Sequence, residues 1–276
     1  MPVILVIRGG GDLASGTAYR LFRAGLRPII TELPQPLAVR RLVSFAESVY
    51  AGSITVEGVT GRKARDLSHA LEITRQDEIP VLVDPHAEIL QQLINQGIAG
   101  HKIILVDARM KKSAEKSDRP PADLLIGLGP GFVAGENCDA AIETMRGHFL
   151  GRVLWQGATE GDTGVPDTVA GRDNERVLRA PVDGVLVALA ELGDLLDKNQ
   201  SVAQVSGMIL RAPFRGVLRG LLRPGITVST GLKIGDIDPR ADPRFFQMVS
   251  DKSLAVGGGV LEAILSRRDL RPVLWE

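Results

Sequence analysis

The chain has 276 residues, and its 33 Lys plus Arg are balanced by 33 Asp plus Glu. The zero formal charge argues against a strongly basic nucleic-acid binder, and 44% hydrophobic residues argue against a disordered chain. A single cysteine, Cys138, excludes an intrachain disulfide framework and a multi-cysteine zinc or iron–sulfur site.

In chain order, Val3–Ile7 is a continuous apolar run, as in a strand buried on both faces. A glycine-rich loop follows. Leu13, Ala14, Thr17, Ala18, Leu21 and Phe22 then recur with helical period, and Gly25 stops the helix. Arg27–Thr31 reads as a strand, Pro36–Tyr50 as a helix and Ile54–Val59 as a weak strand. Arg62–Arg75 reads as a helix, Pro80–Val83 as a strand and Glu88–Gln96 as a helix ending at Gly97. Lys102–Val106 and Leu124–Ile126 are further strands, and Glu136–Arg146 a further helix. Lys111–Pro121, polar and closed by two prolines, reads as a flap. The alternation predicts an α/β fold with a doubly wound, mostly parallel sheet. Met1–Arg8 lacks the features of a secretory leader. No apolar run nears the ~18 residues of a membrane span, so the expected location is the cytoplasm.

After a Gly-, Thr-, Asp- and Pro-rich linker (157–172), short β-like stretches take over. Residues 180–193 and 212–225 share seven of fourteen positions at an offset of 32. This internal repeat predicts two similar hairpin halves in a small barrel or sandwich. The expected organisation is a first domain over 1–156, the linker, a β-rich domain over 173–250 and a C-terminal segment over 251–276. The helix Leu254–Arg267 in that last segment would pack back on the first domain.

The main candidate site is Gly9, Gly10, Gly11, Asp12, Leu13, Ala14, Ser15 and Gly16, between the first strand and the first helix. Glycines let the backbone turn tightly and approach a pyrophosphate, and the helix N-terminus offers free N–H groups. The pattern G-x-G-x-x-A is a permitted form of the dinucleotide fingerprint. Glu32 ends the second strand 21 residues after Gly11, where a carboxylate can hold a ribose hydroxyl. The competing reading is a tight strand-to-helix turn with no ligand.

Ligands of open α/β sheets bind beyond the carboxyl ends of the strands. Asp84, Asp107 and Arg109 fall at that edge, followed by Lys111 and Lys112, and by a second glycine-rich turn with Gly127, Gly129, Gly131 and Gly135. Asp84 and Asp107 equally suit helix capping, whereas Arg109 and Lys111 suit an anion. The four histidines lack helical metal-pair spacing, and no GxSxG, P-loop or CxxC motif occurs. Cys138, at the start of the expected helix, reads as an inert packing residue against a reactive thiolate. Arg211, Arg215, Arg219 and Arg223 read as a solvated face.

The stretch from Arg8 to Gly16 resembles the opening of the accessory proteins of the selenium-dependent molybdenum hydroxylase system, the YqeB-like family. The likeness continues through Val39-Arg40-Arg41 to Glu47, Val106–Met110, Gly127–Phe132, Ile142-Glu143-Thr144, Arg146-Gly147-His148 and Leu150-Gly151-Arg152. It extends to Thr163–Pro166 and Lys233–Arg240. The resemblance implies a Rossmann-like first domain, a pathway role in maturing molybdenum hydroxylases, and no established catalytic residue. The repeat is similar to the barrel-sandwich hybrid of biotinyl and lipoyl domains. Its turn Ser206–Ile209 carries no lysine, so a covalently carried cofactor is not expected.

The expectation is a small phosphate-bearing ligand, either a nucleotide or dinucleotide or a molybdopterin-type cofactor. Gly9–Gly16 would take its phosphate and Glu32 a ribose hydroxyl. Arg109 and the Gly127–Gly135 loop would take a second anionic group. No metal site, nucleic acid or membrane is expected. An apo molybdenum hydroxylase is a candidate partner, and the sequence allows a homo-oligomer. The rival readings are an NAD(P)-dependent oxidoreductase and a non-enzymatic chaperone for a molybdoenzyme.

Overall fold

A computed structural model describes residues 3–95, 101–110, 119–164, 169–172 and 174–275. The expected contacts of Lys111 and Lys112 lie outside the described residues. The chain forms two compact units: residues 1–36, 45–162 and 249–276 make the first, and residues 37–44 and 163–248 the second.

The first unit holds β1 (Val3–Arg8), α1 (Asp12–Arg23), β2 (Pro28–Glu32), α2 (Ser48–Ala51), β3 (Ser53–Val56), β4 (Val59–Ala64), α3 (Leu67–Arg75), β5 (Ile79–Val83), α4 (Ile89–Asn95), β6 (Lys102–Asp107) and β7 (Leu124–Leu128). It continues with β8 (Val133–Ala134), β9 (Ala140–Ile142), β10 (Val153–Leu154), β11 (Gly157–Ala158) and α5 (Asp251–Ser266). One sheet runs in the order β10-β9-β7-β6-β1-β2-β5-β4-β3. From β9 to β4 every neighbouring pair is parallel, and only β10 and β3 are antiparallel edges. From β1 the chain builds outward through β2 and β5 on one side. It returns to add β6, β7 and β9 on the other. The direction therefore switches between β1 and β6, where Arg8 and Asp107 are register partners.

The continuous apolar run of β1 has its cause here: Leu5, Val6 and Ile7 are almost fully enclosed, as a central parallel strand requires. α5 lies against α1 and against β7, β9 and β10. It thus covers the half of the sheet where the connection from β7 to β9 supplies no helix. Gly16 and Gly257 permit the close approach: a Cβ on Gly16 would lie 2.4 Å from that of Ser253, and one on Gly257 2.9 Å from the Gly16 carbonyl oxygen.

Three local expectations fail for physical reasons. Pro36–Tyr50 is not one helix but two 3-10 turns and the short α2. Ser44 is extended, and the Phe45 amide donates to the Ser15 hydroxyl rather than continuing a helix. The helix expected from Arg62 begins only at Leu67. Before it, a hairpin turns at Glu57 and Gly58, both with positive φ, and Asp66 caps α3 by accepting from the His69 amide. The helix expected over Glu136–Arg146 is replaced by β9. The Asn137 side chain closes a turn on Val133 and Gly131, and Asp139 accepts from the Leu125 amide with its carboxylate.

The second unit contains β12 (Val177–Arg179), β13 (Gly184–Ala188), β14 (Leu195–Leu196), β15 (Ser201–Val205), β16 (Met208–Arg211), β17 (Gly216–Leu221), β18 (Thr227–Val228) and β19 (Lys233–Asp238). Two antiparallel sheets run β12-β19-β17-β14 and β16-β15-β13-β18. Shifting β12–β15 by 32 residues turns one order into the other. Registers obey the same shift: Leu186 pairs with Val205 as Leu218 pairs with Ile237, and Gly184 with Val228 as Leu196 with Gly216. The shared core includes Leu186, Val202, Val205, Leu218, Val228 and Ile237. The repeat departs from symmetry at Gly220, where a Cβ would lie 2.8 Å from Val39 Cγ1 of the 37–44 segment. Its equivalent is Ala188.

The four arginines expected on one solvated face do not share a strand. Arg211 lies on β16 and Arg219 on β17. Arg219 and Arg176 both pair with the enclosed Asp236, and Arg219 also reaches Asp238 at 3.1 Å.

Candidate functional site

The glycine loop joins β1 to α1 at the carboxyl edge of the sheet. Gly9 has φ +93°, a conformation that favours glycine, and its amide donates to the Thr31 carbonyl at 2.7 Å. Gly10 is packed: a Cβ there would lie 3.0 Å from the Ala46 nitrogen. The Ser15 hydroxyl donates to the Gly10 carbonyl at 2.9 Å and accepts from the Phe45 amide at 2.7 Å.

Gly11 differs from both neighbours. It is the N-cap of α1 with ordinary φ of −70°, and a Cβ there would meet nothing within 4 Å among the described residues. Among the described residues, neither strain nor packing requires glycine at position 11. Its missing side chain leaves open space at a helix end that no side chain caps. Beside it, Asp12 Oδ1 accepts a 2.9 Å hydrogen bond from Ser253 Oγ of α5.

Glu32 is turned inward. Its Oε2 accepts from the Gly10 amide and its Oε1 from the Leu33 amide, both at 2.6 Å. The side chain holds the loop to β2 rather than standing out toward a ribose. Burial raises its pKa, and the Leu33 and Gly10 amides oppose that rise. Asp84 is a capping residue: its oxygens accept from the Glu88 and Ile89 amides at the start of α4, both at 2.9 Å.

Asp107 is enclosed and is gripped by Arg109 through Nε at 2.8 Å and Nη2 at 2.5 Å. Much of the charge of Arg109 is therefore used within the protein. Arg8, at the end of β1, reaches the same carboxylate only at 3.9 Å and donates from Nη2 to the Pro85 carbonyl at 3.3 Å. Burial, then the neighbouring Arg109, lowers the Arg8 pKa.

The second glycine turn is closed by its own contacts. A Cβ on Gly127 would lie 2.0 Å from the Phe132 ring, and Gly129 and Gly135 have positive φ. The Gly131 carbonyl accepts from Asn137, and the Gly135 amide donates to the Cys138 carbonyl. No helix starts there, so the dipole expected for a second anionic group is missing. Cys138 is fully enclosed, and burial pushes its thiol up to about 11.

The structure thus brings the first glycine loop, Glu32, Asp84, Asp107 and Arg109 to one edge. Arg8, Glu143 and Ser253 escaped the sequence reading. Glu143 repeats the device of Glu32, accepting from the Met145 and Glu160 amides at 2.7 Å. Arg8 could have been found, because it immediately precedes the loop at the end of a central strand. Ser253 is 241 residues from Asp12, and no local pattern joins them. Among the described residues no three His, Cys, Asp or Glu side chains converge as metal ligands, and no helix is long and apolar enough to cross a membrane.

No family model matches the chain. Among solved structures it is similar to the ectoine utilization protein EutE (DoeB) from Ruegeria pomeroyi, at 11% identity over 84% of this chain and 56% of that one, with a TM-score of 0.23. An aspartoacylase family protein from Mesorhizobium loti gives 12% identity over 85% and 84% of the two chains, with a TM-score of 0.25. The chain is 43% identical over 262 residues to the uncharacterized protein YqeB of Escherichia coli (strain K12), covering 95% of this chain and 47% of that protein. It spans about half the length of that curated relative, a match consistent with a YqeB-like family.

Proposed function

We propose that the first unit is a Rossmann-like domain that binds a phosphate-bearing small molecule over Gly9–Gly16, in the service of maturing selenium-dependent molybdenum hydroxylases. The observation that carries the ligand reading is the space at Gly11, open among the described residues, on an N-terminus of α1 that none of their side chains caps, next to the β1/β6 switch point. Six of the seven parallel strands, β5-β2-β1-β6-β7-β9, follow the order 3-2-1-4-5-6, with β4 added parallel outside β5, and ligands of that order sit at the crevice. A phosphate suits the first-turn amides of a helix, and Arg8, only loosely paired with Asp107, supplies positive charge nearby. The molybdenum pathway rests on the motif resemblance. Within it, the ligand is a nucleotide or a molybdopterin-type cofactor.

A thermal-shift screen of the full chain with NAD, NADP, FAD, CTP, ATP, S-adenosylmethionine, molybdate and molybdopterin-type cofactor tests the reading. A ligand at 100 times its Kd stabilises by about 2.7 kcal/mol. One phosphate-bearing compound should raise Tm, and Gly11→Val, which fills only open space, should abolish the rise. A shift with no member of the panel would overturn the reading and favour a chaperone that recognises its client without a nucleotide. Turnover of reduced nicotinamide with a substrate would instead identify an oxidoreductase.

A further inference from the structure

Arg8 has a guanidinium that is largely enclosed yet little used. Its side chain is 12% exposed. A guanidinium carries five N–H donors, and among the described residues Arg8 makes a single side-chain hydrogen bond, the 3.3 Å contact to the Pro85 carbonyl. Its ion pair with Asp107 is long at 3.9 Å, because Arg109 already holds both oxygens of that carboxylate. An enclosed charge with so few partners destabilises a fold and persists where function needs it. Its position is the place where a ligand is expected: the end of β1 at the switch in strand order, directly before Gly9, with Asp107 as register partner.

We propose that Arg8 is a ligand-binding residue whose planar fork grips phosphate oxygens of the molecule bound over Gly9–Gly11. The phosphate supplies the acceptors that the ligand-free protein withholds from Arg8, and bidentate geometry selects phosphate over a neutral group. Asp107 and Arg109 form the neighbouring pair that keeps the edge close to neutral before binding. This assignment rests on the phosphate-ligand reading above.

The test uses the full chain, inorganic pyrophosphate as probe, and the variants Arg8→Gln, Arg8→Lys and Gly11→Val. In the absence of ligand, Arg8→Gln should melt at or above the wild-type temperature, because it removes an under-partnered charge. With pyrophosphate, the wild-type Kd should rise at least tenfold in Arg8→Gln, and Arg8→Lys should recover only part of the affinity. A ligand-free Tm that falls by several degrees in Arg8→Gln assigns a structural role and overturns the proposal. A pyrophosphate shift lost in Gly11→Val but retained in Arg8→Gln overturns it while leaving the ligand site standing. If wild-type protein responds neither to pyrophosphate nor to the nucleotides, the ligand reading fails and this assignment fails with it.

Discussion

The amide of Gly10 and the carboxylate of Glu32 meet at 2.6 Å, across 22 residues of sequence. This bond and its partner from Leu33 tie the glycine loop to the end of β2. Each enclosed donor left without an acceptor costs about 1–3 kcal/mol. Glu32→Ala should therefore lower stability by about 2 kcal/mol in urea denaturation, with Glu32→Gln intermediate. The pH dependence has a definite sign. Burial raises the folded pKa of Glu32 above its ordinary 4.5, so the folded state holds the proton more tightly than the unfolded one. Its stabilising contribution is fully present below about 4.5 and is lost as pH rises through the raised value. The stability difference between wild type and Glu32→Gln should shrink over that rise.

Three glycines near the loop should respond differently to alanine. Gly16→Ala drives a Cβ to 2.4 Å from that of Ser253 and should cost about 1–3 kcal/mol through overpacking. Gly10→Ala meets Ala46 at 3.0 Å and should lose less, in proportion to how far the 45–47 turn can give. Gly11→Ala enters open space and should cost no more than about 1 kcal/mol, the usual penalty of alanine at an N-cap. Calorimetry of the three variants checks the order.

Cys138 should be chemically silent in the folded protein. Its thiol is enclosed and pushed up to about 11 by burial, so almost no thiolate is present at pH 8. A disulfide reagent such as dithionitrobenzoate should react only after denaturant is added. Cys138→Ser, which buries a hydroxyl instead, should destabilise by about 1–3 kcal/mol.

Asp236 holds two guanidiniums. Arg176 and Arg219 both pair with it at a position almost wholly shielded from solvent. Removing one partner of an enclosed ion pair costs about 3–5 kcal/mol. Asp236→Ala should therefore destabilise the second unit far more than Asp197→Ala, whose partner Arg215 and own side chain are mostly exposed. Denaturation followed separately for the two units by hydrogen exchange would register the contrast.

The parallel sheet was legible because the residues of β1 and β6 are apolar on both faces, which few other elements require. The glycine loop was legible because Gly9 needs positive φ. The helix expected after Gly135 does not form, because its apolar spacing competes with side-chain hydrogen bonds of Asn137 and Asp139 that periodicity does not register. The inward turn of Glu32 onto the Gly10 and Leu33 amides leaves no mark in the sequence, because a carboxylate at a strand end has the same sequence appearance whether it faces a ligand or its own backbone. Arg219 looked like a surface residue because its partner Asp236 lies on a different strand, and pairing between strands is invisible to spacing along one of them.

The 32-residue repeat has a consequence for how the second unit can be taken apart. β12–β15 come from the first copy and β16–β19 from the second, yet each sheet combines two strands of each: β12 and β14 flank β19 and β17, while β16 and β18 flank β15 and β13. Neither copy can close a hydrophobic interior alone, so the halves are interlocked like clasped hands. A peptide cut at the Ser206-Gly207 turn should leave two fragments that remain associated, and that separately would recover their strands only by finding one another.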